Sequence, residues 1–354
     1  MNKKTIVLTG GGTAGHIMPN IALLLELQNH FDKIYYLGGK NSMEENIIKD
    51  YKFVTFVAIP TTKLIRSLTP KNLAIPFKLI SAISKTKKIL KDINPSVIFC
   101  KGGFVSVPVA IAGKKLHIPV ISHESDLSMG LANKIILRRA KVMCTSFEDT
   151  AKKNKKCVCT GSPIRNQILN GKRELAIKEF VGYNKLLPTV MLFGGSLGAK
   201  NINNLVFNSL AGLTKKYNVV HIVGKGNKTN THFPNYLQLE FTKSIEHFFA
   251  LADIVVCRGG ANSLFELLAI KKPMLIIPLS KKQSRGDQIE NAKYFKNKGF
   301  AEIMYEEEMN TNLLLKNINS ILIKKEDYIN CMKKSNASQA NNIITQIILK
   351  HCKN

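Results

Sequence analysis

Short apolar runs alternate along this chain with longer stretches in which apolar residues recur at helical spacing. Runs of the first kind read as strands buried on both faces. Those of the second kind read as crossover helices, so the alternation predicts parallel α/β sheets. One series of strands is predicted at Thr5–Thr9, Lys33–Leu37, Phe53–Ile59, Val97–Cys100, Val120–His123 and Val142–Thr145. A second is predicted at Thr189–Phe193, Asn218–Val223, Gln238–Phe241, Ile254–Cys257, Met274–Pro278 and Ala301–Met304. Each series opens with an apolar run that ends in glycines, Gly10-Gly11-Gly12 in one and Gly194-Gly195 in the other. The expected fold class is therefore α/β, two Rossmann-like doubly wound domains facing a cleft. The charge run Lys152–Lys156 and the turn residues Thr160-Gly161-Ser162-Pro163 place the link near 160–165, giving domains 1–162 and 163–339. From Asn341 onward, Ile343, Ile344, Ile347 and Ile348 fall at helical spacing. They predict a closing helix within 340–354, and the domain that receives it is left open.

Composition sharpens this picture at two points. The 354 residues suit two domains, and at 45% hydrophobic the chain can bury a core despite a net charge of +28. An excess of 52 Lys and Arg over 24 Asp and Glu asks for a polyanionic partner: nucleic acid, an anionic membrane face or a phosphorylated substrate. Seven scattered cysteines lack paired zinc spacing and read as reduced thiols, which points to a cytosolic compartment. The run Ile6-Val7-Leu8 is too short for a signal sequence, and no stretch of the ~18 apolar residues that cross a bilayer occurs, so membrane contact is expected to be peripheral.

The charge is concentrated. Between Asp50 and Asp92 no acid occurs, while Lys52, Lys63, Arg66, Lys71, Lys78, Lys85, Lys87, Lys88 and Lys91 supply nine bases. On a helix Lys71, Lys78 and Lys85 share one stripe, flanked by Ile75 and Phe77, with Leu73, Ile80, Ile83 and Leu90 opposite. Ile75, Phe77, Lys78 and Lys85 make a candidate membrane patch, and a solvated lysine face is the plain alternative. Nucleic acid is disfavoured: tryptophan is absent, Tyr and Phe do not interleave with the basic run, and no nucleic-acid motif occurs.

The glycine turns carry the candidate chemistry. Gly10, Gly12 and Gly15 match G-x-G-x-x-G after a strand, a form that lets backbone N–H groups approach a phosphate. A nicotinamide enzyme would also place an acid at the end of its second strand, where this chain has Gly38-Gly39-Lys40. His16 follows the loop, where the helix N-terminus favours a neutral imidazole able to act as a base. Gly194 through Ala199 lacks the Lys-Ser/Thr of a P-loop and offers backbone N–H groups and the Ser196 hydroxyl. Arg258-Gly259-Gly260 leads into Ala261-Asn262-Ser263-Leu264-Phe265-Glu266, a further anion-friendly helix start in which Glu266 could bind a ribose. No Asp-x-Asp triplet calls for a metal.

Taken in order, Gly11 to His16 with Pro19, Lys101 to Pro108, His123-Glu124, Gly161 to Arg165, Gly194 to Ala199, and Asp287-Gln288 with Asn291-Ala292 closely resemble the MurG family. Its members are bacterial glycosyltransferases that move N-acetylglucosamine from UDP-GlcNAc onto undecaprenyl-diphospho-N-acetylmuramoyl-pentapeptide, the lipid precursor of peptidoglycan. The resemblance spans about Thr5 to Ala292. It implies the GT-B architecture, an N-terminal acceptor and membrane domain, a C-terminal donor domain, no cofactor, and action at the cytoplasmic face of the cell membrane. It also implies that Thr13, Ala14 and Gly15 lie beside the donor sugar, and Arg165 and Ser196 beside its phosphates. Ala261, Asn262, Ser263, Leu264, Phe265 and Glu266 would line the phosphate and ribose, Gln288 would take the GlcNAc hydroxyls, and Thr242 would meet uracil through its backbone. Gly102, Gly103 and Ser106, together with the first glycine turn, would receive the acceptor diphosphate. Three positions depart from the family pattern: Ala14 replaces its commonest Gly, Asp126 stands where some members have a donor-touching Asn, and Asp287 replaces His or Gln.

Inverting transfer needs one base and a site for the departing diphosphate, and nothing here suggests the paired carboxylates of a retaining hydrolase. His16 is the first candidate for the base, with Glu124 and Asp126 as rivals. A different UDP-sugar transferase acting on a lipid, a dinucleotide-dependent oxidoreductase and a non-catalytic basic binding protein are the competing readings.

Overall fold

The computed structural model describes residues 4–61, 75–195, 198–281, 283–284 and 286–353. The chain divides into two compact units, Met1–Arg165 with Gln339–Asn354, and Asn166–Ser338. Ser162 and Ile164 are buried within the first, and the Asn341 side chain accepts the Ile164 N–H at 2.8 Å and donates to the Ile164 carbonyl at 2.8 Å. The first unit therefore runs slightly past the turn at Thr160 to Pro163.

The first unit holds strands β1 (Thr5–Thr9), β2 (Lys33–Gly39), β3 (Val54–Ile59), β4 (Val97–Cys100), β5 (Val120–Glu124), β6 (Val142–Thr145) and β7 (Cys157–Cys159). They form one parallel sheet in the order β3-β2-β1-β4-β5-β6-β7. The second unit holds β8 (Thr189–Phe193), β9 (Asn218–Ile222), β10 (Tyr236–Leu239), β11 (Ile254–Cys257), β12 (Met274–Ile276) and β13 (Ala301–Ile303), parallel in the order β10-β9-β8-β11-β12-β13. All residues of β1 and β8 are buried, because each lies between two neighbours and under helices on both faces, which is why they read as unbroken apolar runs. In each sheet the order reverses beside its first strand. The turns after β1 and β4, and those after β8 and β11, thus flank the point where doubly wound sheets hold ligands.

Three elements differ from the reading of the sequence. β7 lies between the charge run Lys152–Lys156 and the turn Thr160–Pro163, where no strand is predicted. It is a short edge strand pairing Cys157 with Met143 and Cys159 with Thr145. β10 begins two residues earlier than expected, at Tyr236, and pairs only with β9, so burial on both faces does not mark its ends. Ile80, expected on the inward side of the helix Ile75–Ile93, is 65% exposed. The inward stripe runs through Ala82, Thr86 and Leu90 with Leu79 and Ile83 beside it, which turns Ile80 out next to Phe77. The closing helix Ala340–Lys350 packs on the first unit, where Ile344 and Ile348 join Ile6, Leu8, Ile17 and Leu24 in one core. Among the described residues no helix is long and apolar enough to cross a membrane.

Candidate functional site

The turn after β1 is fixed from inside. The Tyr36 hydroxyl donates to the Gly10 carbonyl at 2.6 Å and accepts from Asn20 at 3.1 Å, both within the core. Burial raises the Tyr36 phenol far above its ordinary range, so it remains a donor. Gly12 adopts φ +83°, a left-handed conformation that suits glycine. The helix Ala14–Leu27 follows, with extended Thr13 at its N-cap making no side-chain cap and with no acid in its first turn. His16 lies in that turn, half-buried.

The β1 and β4 turns touch. A Cβ on Gly103 would stand 2.5 Å from the Gly11 carbonyl oxygen and 3.3 Å from His16 Cδ2, so only glycine lets the turns close on each other. Gly102 packs on Asn133, whose amide donates to Glu124 Oε2 at 2.9 Å and to the His123 carbonyl at 3.2 Å. Glu124 also accepts the N–H groups of Asp126 and Gly130, each at 3.0 Å. Its buried carboxylate thus shapes the loop that presents Asp126. Ser106 is buried, and its hydroxyl donates to the Gly102 carbonyl at 2.8 Å, which sets the turn from within. His16, Gly102, Gly103, Ser106, Glu124 and Asp126 are brought into one neighbourhood at the carboxyl end of this sheet. Thr13 and Gly15 are exposed there and Ala14 is half-buried, while Arg165 ends the unit, partly exposed.

Lys101, which no candidate role included, is buried under these turns and bonds the Ser125 hydroxyl. Burial pushes its ammonium down to about 8, against the pull of Glu124 and Asp126. Neighbouring His123 donates from Nε2 to the Gly161 carbonyl at 2.9 Å, and burial, with the Lys101 charge, keeps it neutral.

In the second unit Gly198, at φ +76°, rests on the Val223 carbonyl, where a Cβ would come within 2.0 Å of the oxygen. The same carbonyl accepts from Asn203 at 2.9 Å. Asn203 in turn bonds His221 at 3.1 Å, and His221 bonds the Tyr236 hydroxyl at 3.1 Å. Burial lowers His221 to about 3, so this support stays uncharged. Ser196 lies outside the described residues.

The helix Ala261–Ala269 starts at Gly260 without a side-chain cap or first-turn acid, which suits its N–H groups to an anion. Ala261, Leu264 and Phe265 are buried, with Phe265 stacked edge-on against Phe295 at 5.4 Å, so their side chains serve the core and backbone is what they can offer a ligand. Asn262 and Ser263 are partly exposed, and Glu266 is buried one turn in. A Cβ on Gly259 would strike the Gln288 backbone at 2.5 Å, which brings Gln288 beside this turn. The Gln288 carboxamide oxygen accepts the Leu279 N–H at 3.0 Å, leaving its nitrogen as donor. Thr242 Oγ1 accepts the Ser244 N–H at 3.1 Å ahead of the helix Ile245–Leu251, giving its side chain a turn-forming part beyond the backbone role expected of it. Glu306 was also missed. It accepts from Arg258 at 2.6 Å, Asn201 at 3.1 Å and the Ser280 N–H at 3.3 Å, tying together the segments that follow β8, β11, β12 and β13. Burial opposes its charge, and the Arg258 hydrogen bond leads the interactions that nevertheless hold it below the usual carboxylate range. Only its place just after a predicted strand hinted at this part.

Residues 6–145 match the glycosyltransferase family 28 N-terminal domain and residues 189–347 the glycosyltransferase family 28 C-terminal domain. A Clostridium botulinum protein named UDP-N-acetylglucosamine–N-acetylmuramyl-(pentapeptide) pyrophosphoryl-undecaprenol N-acetylglucosamine transferase is 42% identical, covering 100% of this chain and 99% of its own. Its namesake from Clostridium tetani is 43% identical over 99% of this chain and 98% of its own. Among solved structures, Acinetobacter baumannii MurG superposes with TM-score 0.77 at 24% identity, covering 98% of this chain and 99% of its own. The calicheamicin glycosyltransferase CalG4 gives TM-score 0.75 at 10% identity over 99% and 98%, which extends the likeness of fold to other two-domain glycosyltransferases. With both family 28 domains in order and end-to-end identity at this level, the chain belongs to the MurG family of N-acetylglucosamine transferases.

Proposed function

We propose that this enzyme transfers N-acetylglucosamine from UDP-GlcNAc to the 4-hydroxyl of undecaprenyl-diphospho-N-acetylmuramoyl-pentapeptide, with inversion. The observation that carries the reading is the end-to-end likeness to transferases of that name, in a chain whose glycine turns fall at the reversal point of both sheets. The second unit takes the donor. The start of the helix Ala261–Ala269 faces its phosphate and ribose, Ser196 meets the diphosphate together with Arg165 at the link between the units, Gln288 donates to the sugar, and the Thr242 backbone meets uracil. The first unit takes the acceptor, with its diphosphate against the Gly102-Gly103 turn that Ser106 sets.

The chemistry is one in-line displacement. A base removes the acceptor hydroxyl proton while fixed N–H groups and Arg165 meet the charge developing on UDP. His16 is assigned the base because the helix start favours its neutral form, whereas the Glu124 carboxylate already accepts three donors that shape its loop. Asp126, on that loop, lies within the electrostatic reach of Lys101, which tempers an anion placed near a diphosphate.

The acceptor is a lipid, so the enzyme works as a peripheral protein on the anionic cytoplasmic face of the membrane. Phe77 is 76% exposed on the helix Ile75–Ile93, with Ile80 one turn on and Lys78 and Lys85 beside them, a combination suited to an anionic lipid surface. The side chain of Ile75 lies outside the described residues.

The decisive experiment measures UDP release from UDP-GlcNAc with and without a lipid-diphosphate muramoyl acceptor, with UDP-GalNAc as control for Gln288. Acceptor-dependent release from UDP-GlcNAc is expected. Release that ignores the acceptor, or no release, refutes the reading.

A further inference from the structure

Glu44 belongs to no motif and to no step of the reaction above, yet it sits at the first glycine turn. It lies in the short helix Met43–Ile48 after β2 and is 3% exposed. Its Oε1 accepts the Gly39 N–H at 3.0 Å, and its Oε2 accepts the Gly12 N–H at 3.4 Å. Glycines make the space for it: a Cβ on Gly11 would stand 2.4 Å from Oε1, and one on Gly38 would stand 2.7 Å from Cγ. Gly11, Gly12, Gly38 and Gly39 thus surround one buried carboxylate. Among the described residues no lysine, arginine or histidine pairs with it.

A buried carboxylate held by backbone N–H groups alone is a costly arrangement for stability. In a dinucleotide-binding turn the same edge of the glycine loop faces a phosphate. Here the chain supplies its own anion to that edge. The Tyr36 hydroxyl on the Gly10 carbonyl fixes the other side of the same peptide run, so the turn is held at both ends before any ligand arrives. The helix that presents His16 starts two residues beyond Gly12.

We propose that Glu44 is a positioning residue, a resident anion that holds the first glycine turn in its anion-bound shape and thereby sets His16 against the acceptor hydroxyl. This rests on the transferase reading and on His16 as base.

The test uses the full chain with Glu44→Ala and Glu44→Gln. Turnover should fall ~10- to 100-fold, the loss expected when a reacting group is displaced by about an ångström. The KM for UDP-GlcNAc should change less than turnover, because the donor's phosphate, ribose and uracil are assigned to the second unit. Millimolar formate, a carboxylate small enough for the vacated space, should restore much of the turnover of Glu44→Ala and leave the wild type unchanged. Amide hydrogen exchange across Thr9–His16 should quicken in both variants and slow again with formate in Glu44→Ala. Unaltered exchange refutes the hold on the turn even if the transferase reading itself fails, since exchange needs no substrate. Near-normal turnover, or a loss that formate does not restore in either measurement, refutes the positioning role. If Glu44→Ala does not fold, turnover, KM and exchange of Glu44→Gln decide in the same way.

Discussion

Glu306→Ala tests whether the donor-side loops depend on one buried ion pair. Arg258 and Glu306 meet at 2.6 Å with side chains 12% and 6% exposed. Removing one partner of such a pair costs about 3–5 kcal/mol, because the remaining charge stays buried and unpaired. Arg258 keeps a hydrogen bond to the Ile277 carbonyl at 3.2 Å, which argues for the lower end, about 3 kcal/mol. For a unit of this size that corresponds to a fall of roughly 6–12 °C in Tm. The chain has no tryptophan, so the transition is best followed by far-UV circular dichroism in urea, with UDP binding as a reporter specific to the second unit. UDP-GlcNAc affinity should fall as well, since Arg258 leads directly into Gly259, Gly260 and the helix Ala261–Ala269. Glu306→Gln keeps an acceptor for the guanidinium and should lose about half as much. A loss below about 1 kcal/mol for Glu306→Ala, the range of exposed pairs, would refute the argument.

His16→Ala should lower turnover ~100-fold or more with donor affinity unchanged, and near-normal turnover in steady-state assays would remove it as the base. Gly198→Ala must leave φ +76° or strike the Val223 carbonyl; the backbone conformation alone costs about 1–2 kcal/mol, and a clear drop in UDP affinity by calorimetry is expected. Burial pushes the Cys144 and Cys257 thiols up from 9.0 to about 12 and Cys100 further still. Unfolded thiols lose protons above pH 9 while these keep theirs, so each thiol's share of stability, present below pH 9, should drain away toward pH 12 at about 1.4 kcal/mol per pH unit; Lys101, held down at about 8, contributes with the opposite sign over pH 8–10, so the check is the difference in urea midpoint between wild type and Cys257→Ala, which should shift steadily in favour of the variant from pH 8 to 10. Phe77→Ser with Ile80→Ser should weaken binding to anionic vesicles in cosedimentation without changing turnover on a detergent-dispersed acceptor, and unchanged binding would refute the membrane face.

Most of the sheet was legible because strands covered on both faces must be apolar and must end in turns. Thr5–Thr9 running into Gly10 and Thr189–Phe193 running into Gly194 announce themselves for that reason. Legibility fails where position in space supplies the meaning. Cys157–Cys159 is too short and too exposed at the edge to carry a strand pattern. Ile80 has the same composition signal as Ile83, and only the exact phase of the helix on its neighbour separates them. Tyr36, Glu44, Lys101 and Glu306 look ordinary in one dimension, since each gains its part from a backbone group or side chain brought to it by a different strand connection. The glycines recorded half of that information. Gly38-Gly39 counted against an acid on a ribose, and in the fold the same pair makes room for an acid of the chain's own.

The closing helix has a consequence for biosynthesis. Ile344 and Ile348 fill the same core as Ile6 and Leu8, so the first sheet synthesised cannot complete its packing until the last helix has left the ribosome. The second unit is one uninterrupted stretch and can finish earlier, although it is translated later. At roughly 5–20 residues per second, the strands from β1 to β7 wait on the order of ten seconds or more for their final contacts. During that interval the apolar surface meant for Ile344 and Ile348 is exposed, so termination between the end of the second unit and the closing helix would release a chain with a finished second unit and an unfinished leading one.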